Sequence, residues 1–166
     1  MRKLLLTFSL VLFAGTALMA QDRFRAGVSG GIPVGDAGDV TTFAIALDLA
    51  YILEISEDFE AGPMAGFHHL FGDSTTLPVV GEVDFEDISF LPIGGTAGYY
   101  FGSFGITLDL GYGIGISDGN DGGFYWAPGA CYRLTEMIDI VTDYRSVAVS
   151  GGSIDWVSFG IEFNFN

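Results

Sequence analysis

The chain has 166 residues, 49% of them apolar and 25 of them glycine, and 6 Lys and Arg against 21 Asp and Glu give a formal net charge of −15. That charge repels phosphates and excludes a nucleic-acid partner, while the apolar content excludes intrinsic disorder. A single cysteine, Cys131, excludes an intrachain disulfide framework and any multi-cysteine zinc site.

Residues 1–20 place Arg2 and Lys3 ahead of an apolar run from Leu4 to Phe13, then small residues before Gln21. This is the pattern of a signal peptide, with cleavage expected near Ala20. The run is shorter than the ~20 residues a membrane-spanning helix needs, and no cysteine follows it to carry a lipoprotein anchor. Residues 21–166 are then expected to form one domain. They hold no lysine, four arginines (Arg23, Arg25, Arg133 and Arg145) and all 21 acidic residues.

Beyond Gln21 the apolar residues recur with period two, the signature of strands. Eight strands are predicted, at about 23–33, 41–54, 59–71, 89–101, 104–117, 123–134, 138–148 and 156–165. The connections alternate in length. Val34–Val40, Gly72–Ile88, Asp118–Gly122 and Ser150–Asp155 read as longer loops rich in Gly, Asp or Ser, whereas those near Glu57-Asp58, Gly102-Ser103 and Glu136 need only a few residues. Short turns at one end and loops at the other describe an up-and-down meander with both termini at the short-turn end.

Face chemistry decides which side of such a meander is wet. Ile106, Leu108, Leu110, Tyr112, Ile114 and Ile116 oppose Gly105, Thr107, Asp109, Gly111, Gly113 and Gly115. The last strand sets Val157, Phe159, Ile161, Phe163 and Phe165 against Ser158, Gly160, Glu162, Asn164 and Asn166, and the second sets Phe43 to Tyr51 against small residues and Asp48. A soluble barrel of the lipocalin type would put Lys, Glu, Gln and Arg on the non-bulky face. Small residues with isolated charges suit instead the narrow interior of a transmembrane barrel, with lipid against the bulky face. The fold expected is therefore an all-β, eight-stranded antiparallel up-and-down transmembrane β-barrel. Tyr99, Tyr100, Phe101, Phe104 and Tyr132 near the short turns, and Phe124, Trp126 and Trp156 just past the loops, are the expected interfacial aromatic girdles.

In these features residues 21–166 resemble the small eight-stranded outer-membrane barrels of the OmpA/OmpX type, particularly the short barrel domains with a signal peptide common in Bacteroidetes-like bacteria. Proteins of that type usually end in an aromatic residue; this chain ends Phe163-Asn164-Phe165-Asn166, one position past its last aromatic. The resemblance implies the bacterial outer membrane, outer-membrane lipid as surroundings, and barrel-assembly machinery and periplasmic chaperones as partners.

The alternation turns Asp48, Asp109, Arg133, Asp139, Asp143, Arg145 and Glu162 into the lumen, where charges must be paired or wetted, and Cys131 onto the same face as an inert thiol. The acidic loop residues Asp73, Glu82, Asp84, Glu86 and Asp87, with Phe85 among them as an anchor, are the candidate contact for a surface protein partner. Asp118-Gly119-Asn120-Asp121-Gly122 has the look of a calcium loop but lacks the full ligand set and the distal Glu, so no metal and no cofactor are implied. His68 and His69, being adjacent, point to opposite faces and read as rim histidines without catalytic work. A lipid hydrolase would need a serine and an acid within hydrogen-bond reach of one of them, and Ser74 and Ser89 are the serines near in sequence. The expected function is a non-enzymatic outer-membrane barrel with a structural or surface-presenting role. Its alternatives are an adhesion module acting through the acidic loops, a narrow channel, and a soluble periplasmic ligand-binding barrel.

Overall fold

The computed structural model describes residues 22–77 and 81–165, except for the side chains of 75–77 and 81–84. The expected signal peptide and Asn166 lie outside the described residues. Eight long strands close into a barrel: β1 (Arg23–Val34), β2 (Thr41–Glu54), β3 (Phe59–Gly72), β6 (Ile88–Phe101), β7 (Phe104–Gly115), β8 (Gly123–Arg133), β9 (Ile138–Val149) and β10 (Gly152–Phe165). Each pairs antiparallel with its neighbours in chain order, and β1 closes the cylinder on β10 in register from Phe24 opposite Phe165 to Val34 opposite Asp155. The chain is an up-and-down transmembrane β-barrel. Strands of 11 to 14 residues, rising ~3.3 Å per residue and tilted by ~40°, match a hydrocarbon layer of ~25–30 Å.

Between β3 and β6, where the sequence suggests an irregular loop, the chain makes a separate hairpin of β4 (Ser74–Leu77) and β5 (Gly81–Asp84). Its alternating Thr75, Leu77 and Val83 pattern is too short to separate from a loop by periodicity alone. A short 3-10 turn at Gly35–Asp39 fills the first loop and buries Ala37. The last connection differs from the expected Ser150–Asp155 loop, because β9 and β10 run on until only Ser150 and Gly151 join them. Gly151 takes a φ of 98° there, a conformation that L side chains rarely adopt.

The bulky face points outward. Ile106, Leu108, Leu110, Tyr112 and Ile114 on β7, and Val157 to Phe165 at odd positions of β10, are exposed. This removes the alternative of a soluble barrel, whose bulky face would be its internal core. Tyr99, Phe101, Phe104 and Tyr132 ring the short-turn end, and Phe124 and Trp126 flank the loop end, as the girdle reading expects. Two members of that reading are corrected: Tyr100 and Trp156 turn inward and are buried. Lengthening β10 by four residues puts Trp156 well inside the strand, with the interior parity of Ser158.

Interior glycines make room for the lumen side chains. A Cβ on Gly129 would lie 2.5 Å from Asp143 Oδ1 and 2.7 Å from Thr107 Oγ1, and one on Gly105 would lie 2.7 Å from Cys131 Sγ. Gly129→Ala is therefore expected to lower the unfolding free energy by ~1–3 kcal/mol through overpacking. Denaturant unfolding of the vesicle-inserted barrel measures it.

Candidate functional site

The described chain has four arginines, and all four point into the barrel or its mouth. At the short-turn end Glu60, projecting inward from β3, accepts hydrogen bonds from Arg23, from Arg25 Nη1 at 2.9 Å and from the Tyr100 hydroxyl at 2.7 Å. Arg23 also donates to Glu54 at 2.6 Å and to Asn164 Oδ1 at 3.1 Å. Arg25 donates to Thr96 Oγ1 at 3.1 Å and pairs with Glu162 at 3.4 Å. Asn164 passes the network on by donating from Nδ2 to Asp139 at 3.0 Å. Arg133 stands at the mouth, 3.8 Å from Asp139 and 4.5 Å over the Tyr100 ring, a cation–π contact.

Halfway along the lumen a second cluster forms around Arg145. Its guanidinium donates to Asp48 at 2.8 Å, to Asp143 at 3.1 Å and to Ser158 Oγ at 3.1 Å. Ser158 in turn donates to Asp143 at 3.0 Å. His68 is fully buried here, with Nε2 2.8 Å from the second oxygen of Asp48. Arg145 Nη1 lies 2.8 Å from the same ring nitrogen. His68 is thus a lumen residue and not the rim histidine expected. Asp109 borders the space between the clusters, a cavity of about 20 Å³ with Arg25, Thr96, Asp143, Arg145 and Glu162 in its wall. That is room for about one water.

Above the charges the lumen turns apolar. Trp156, Tyr125, Phe90, Leu70 and Val147 are fully buried and pack as one cluster, with the rings of Tyr125 and Trp156 each edge-on to His68 at 5.5 Å. Beyond this plug the loop-side mouth opens into a cavity of about 280 Å³. Ile88, Val149 and Ile154 form its apolar part, and Glu86, Asp87 and Asp121 are among its polar walls. The aromatic plug stands between this mouth and the charge clusters beneath it.

Of the seven expected lumen charges, six divide between two clusters and Asp109 borders the space between them. Asp48, Asp143 and Arg145 meet directly, while Arg133 and Asp139 belong to the short-turn cluster with Glu162. Sequence reasoning missed Arg23, Arg25, Glu60 and His68. The signal for the arginines was parity, since 23 and 25 share the face of Gly27 and Ser29 while Phe24 and Val28 face out. Cys131 is buried beside Tyr100 and Val141.

Of the expected loop contacts, Asp73, Phe85, Glu86 and Asp87 gather at the foot of the β4–β5 hairpin. The Phe85 amide donates to the Asp73 carbonyl at 2.8 Å, and Asp87 Oδ1 accepts from the Gly72 amide at 2.8 Å. Phe85 is exposed among them. Glu82 and Asp84 belong to β5, with side chains outside those described. Among the described residues no group of three or more His, Cys, Asp or Glu side chains is placed to hold a metal ion, and no helix is long and apolar enough to cross a membrane.

No protein-family model and no curated protein matches this chain. Solved structures do match in fold. The attachment invasion locus protein Ail of Yersinia pestis superposes with a TM-score of 0.53 at 13% identity, covering 87% of this chain and 97% of Ail. Ail in a phospholipid bilayer nanodisc gives 0.55 at 13% identity over 87% and 100%. The de novo designed barrel TMB2.3 gives 0.55 at 13% identity over 89% and 98%. At this identity the likeness is one of fold, and it is the fold of small transmembrane barrels.

Two outcomes follow for the lumen. Arg145→Ala leaves the largely buried Asp48 and Asp143 without their cation and is expected to cost ~2–4 kcal/mol in denaturant unfolding from vesicles. The wild-type barrel in a planar bilayer is expected to show no discrete conductance steps, because the aromatic plug and the paired charges fill the eight-stranded lumen.

Proposed function

We propose that this protein is an integral barrel of the bacterial outer membrane whose role is carried by what it presents at the surface, the acidic β4–β5 hairpin and the loop-side mouth, and not by transport through its lumen. The observation that supports this most directly is the division of charge. Every arginine after residue 20 is committed to the lumen or its mouth and no lysine follows residue 20, so the loops outside the bilayer carry acids without a cation. The exposed band between them is apolar and suits lipid.

Ail, named for attachment and sharing the fold at 13% identity, supports a surface role of the binding kind. It has been solved with the heparin analogue sucrose octasulfate. Acidic loops repel such a polyanion, so the partner proposed here is a neutral or basic protein surface. Phe85 is the apolar anchor among Asp73, Glu86 and Asp87.

The arrangement makes a distinctive protease pattern. The folded barrel in vesicles is expected to resist trypsin at Arg23, Arg25 and Arg145, which are buried, and to become sensitive there once heated. On intact cells a glutamate-specific protease is expected to cut at Glu82 or Glu86 and to spare Glu57 and Glu136 in the short turns on the far side. Cleavage at Glu57 or Glu136 from outside, or a folded and detergent-free soluble form, would overturn the proposal.

A further inference from the structure

The two adjacent histidines separate two environments. His68 enters the lumen network, and His69 faces outward on β3, where the pairing of β3 with β6 sets Ser89 directly opposite it. Both side chains stand on the outer surface, and His69 Nδ1 lies 2.8 Å from Ser89 Oγ. On its other side His69 Nε2 lies 3.4 Å from Asp87 Oδ2. Asp87 is held for it by the Gly72 amide on its other oxygen. The Ser89 main chain is fixed in turn: its amide donates to Ser117 Oγ at 3.2 Å, and its carbonyl accepts from Asn120 Nδ2 at 3.1 Å. Nucleophile, base and orienting acid thus lie in sequence along one imidazole, each anchored independently.

The position selects the substrate. Ser89 is the second residue of β6 and Asp87 lies just before the strand, so the group sits at the loop-side edge of the apolar band. Phe71 packs edge-on to His69 at 4.5 Å and Phe67 stacks at 6.3 Å, with Ile45 opposite on β2. Acyl chains lie against such rings while the ester carbonyls of a bilayer lipid sit at this depth, next to water.

We propose that Ser89, His69 and Asp87 form an ester-hydrolysing site on the outer wall of the barrel, acting on the acyl esters of membrane lipid in the leaflet that meets the loops. With hydrogen on Nε2 facing Asp87, the free Nδ1 takes the Ser89 proton as Oγ attacks the ester carbonyl carbon. Collapse of the tetrahedral adduct breaks the ester C–O bond, and the lipid alcohol leaves with the proton from His69. Water, deprotonated by the same nitrogen, then attacks the acyl-serine, releasing the fatty acid and restoring the Ser89 hydroxyl. Ester and water become acid and alcohol, with no other reactant. Asp87 offsets the imidazolium charge formed in both halves. The activity goes beyond the surface role proposed above and departs from the non-enzymatic expectation; it requires only the same membrane insertion.

The test uses the full barrel folded in vesicles, with heat-shifted gel migration confirming the fold of every variant. Fatty-acid release is measured from a glycerophospholipid and, separately, from an acylated glycolipid. Labelling by a fluorophosphonate probe is read by mass. Release from either lipid, with Ser89→Ala lowering it by ~10³-fold or more and abolishing the label, Asp87→Asn lowering it by ~10-fold or more, and Ser74→Ala leaving it unchanged, supports the site. Which lipid is cleaved identifies the substrate. A folded wild-type barrel that releases fatty acid from neither lipid, or activity and label that survive Ser89→Ala, overturns it.

Discussion

An eight-stranded cylinder has an interior about as wide as the side chains that fill it, and in a bilayer its outer face must be apolar over the whole hydrocarbon depth. Together these conditions leave polar side chains in the membrane-spanning part with one destination. Arg145 illustrates the consequence. Its guanidinium reaches Asp48 on β2, Asp143 beside it on β9 and Ser158 on β10, so one side chain ties together strands far apart in sequence. Glu60 does the same at the other end by drawing Arg23, Arg25 and Tyr100 toward β3. Charges of this kind contribute little net energy when paired and a large penalty when a partner is removed. They therefore act chiefly as constraints on closure, since a slipped register of β1 against β10 would carry Arg25 away from Glu162 and out toward lipid.

The glycines on the interior face belong to the same constraint. Asp143, Trp156 and Cys131 occupy space that a Cβ on Gly129, Gly31 or Gly105 would enter. Small residues opposite large ones let two charge clusters and an aromatic plug fit within one narrow lumen, and the space between the two clusters is close to that of one water. The same packing separates the lumen from function at the surface. Trp156, Tyr125 and Phe90 close it below the loop-side cavity, so chemistry or binding at the outer mouth is insulated from the network beneath.

The strands were legible because lipid imposes a strict alternation, and β2, β7 and β10 carry it almost without interruption. Interior charges were legible wherever they fell on such a strand, as Asp48, Asp109 and Glu162 do. Arg23 and Arg25 went unread because β1 mixes its bulky residues with Gly27, Gly30 and Gly31, and Glu60 because Gly62-Pro63 interrupts the pattern of β3. Trp156 was assigned to the girdle for a different reason. A turn of two residues reads in sequence as a loop of six when Ser, Gly and Asp continue into the next strand. Which charge meets which was not legible at all, since Asp48 and Arg145 are 97 residues apart and only barrel closure joins them.

The histidine pair shows the same limit from the other face. Alternation alone sends His68 and His69 to opposite sides, and it does so whatever their roles. It takes the pairing of β3 with β6 to put Ser89 against His69, and the return of the chain from the β4–β5 hairpin to place Asp87 beyond it. The lumen histidine is fully buried and meets Asp48 and Arg145 there, a setting that fixes structure. Its neighbour meets a serine and an acid at the edge of the bilayer, where lipid esters and water both have access. The difference between the structural histidine and the one proposed to react is therefore set by one step of strand parity.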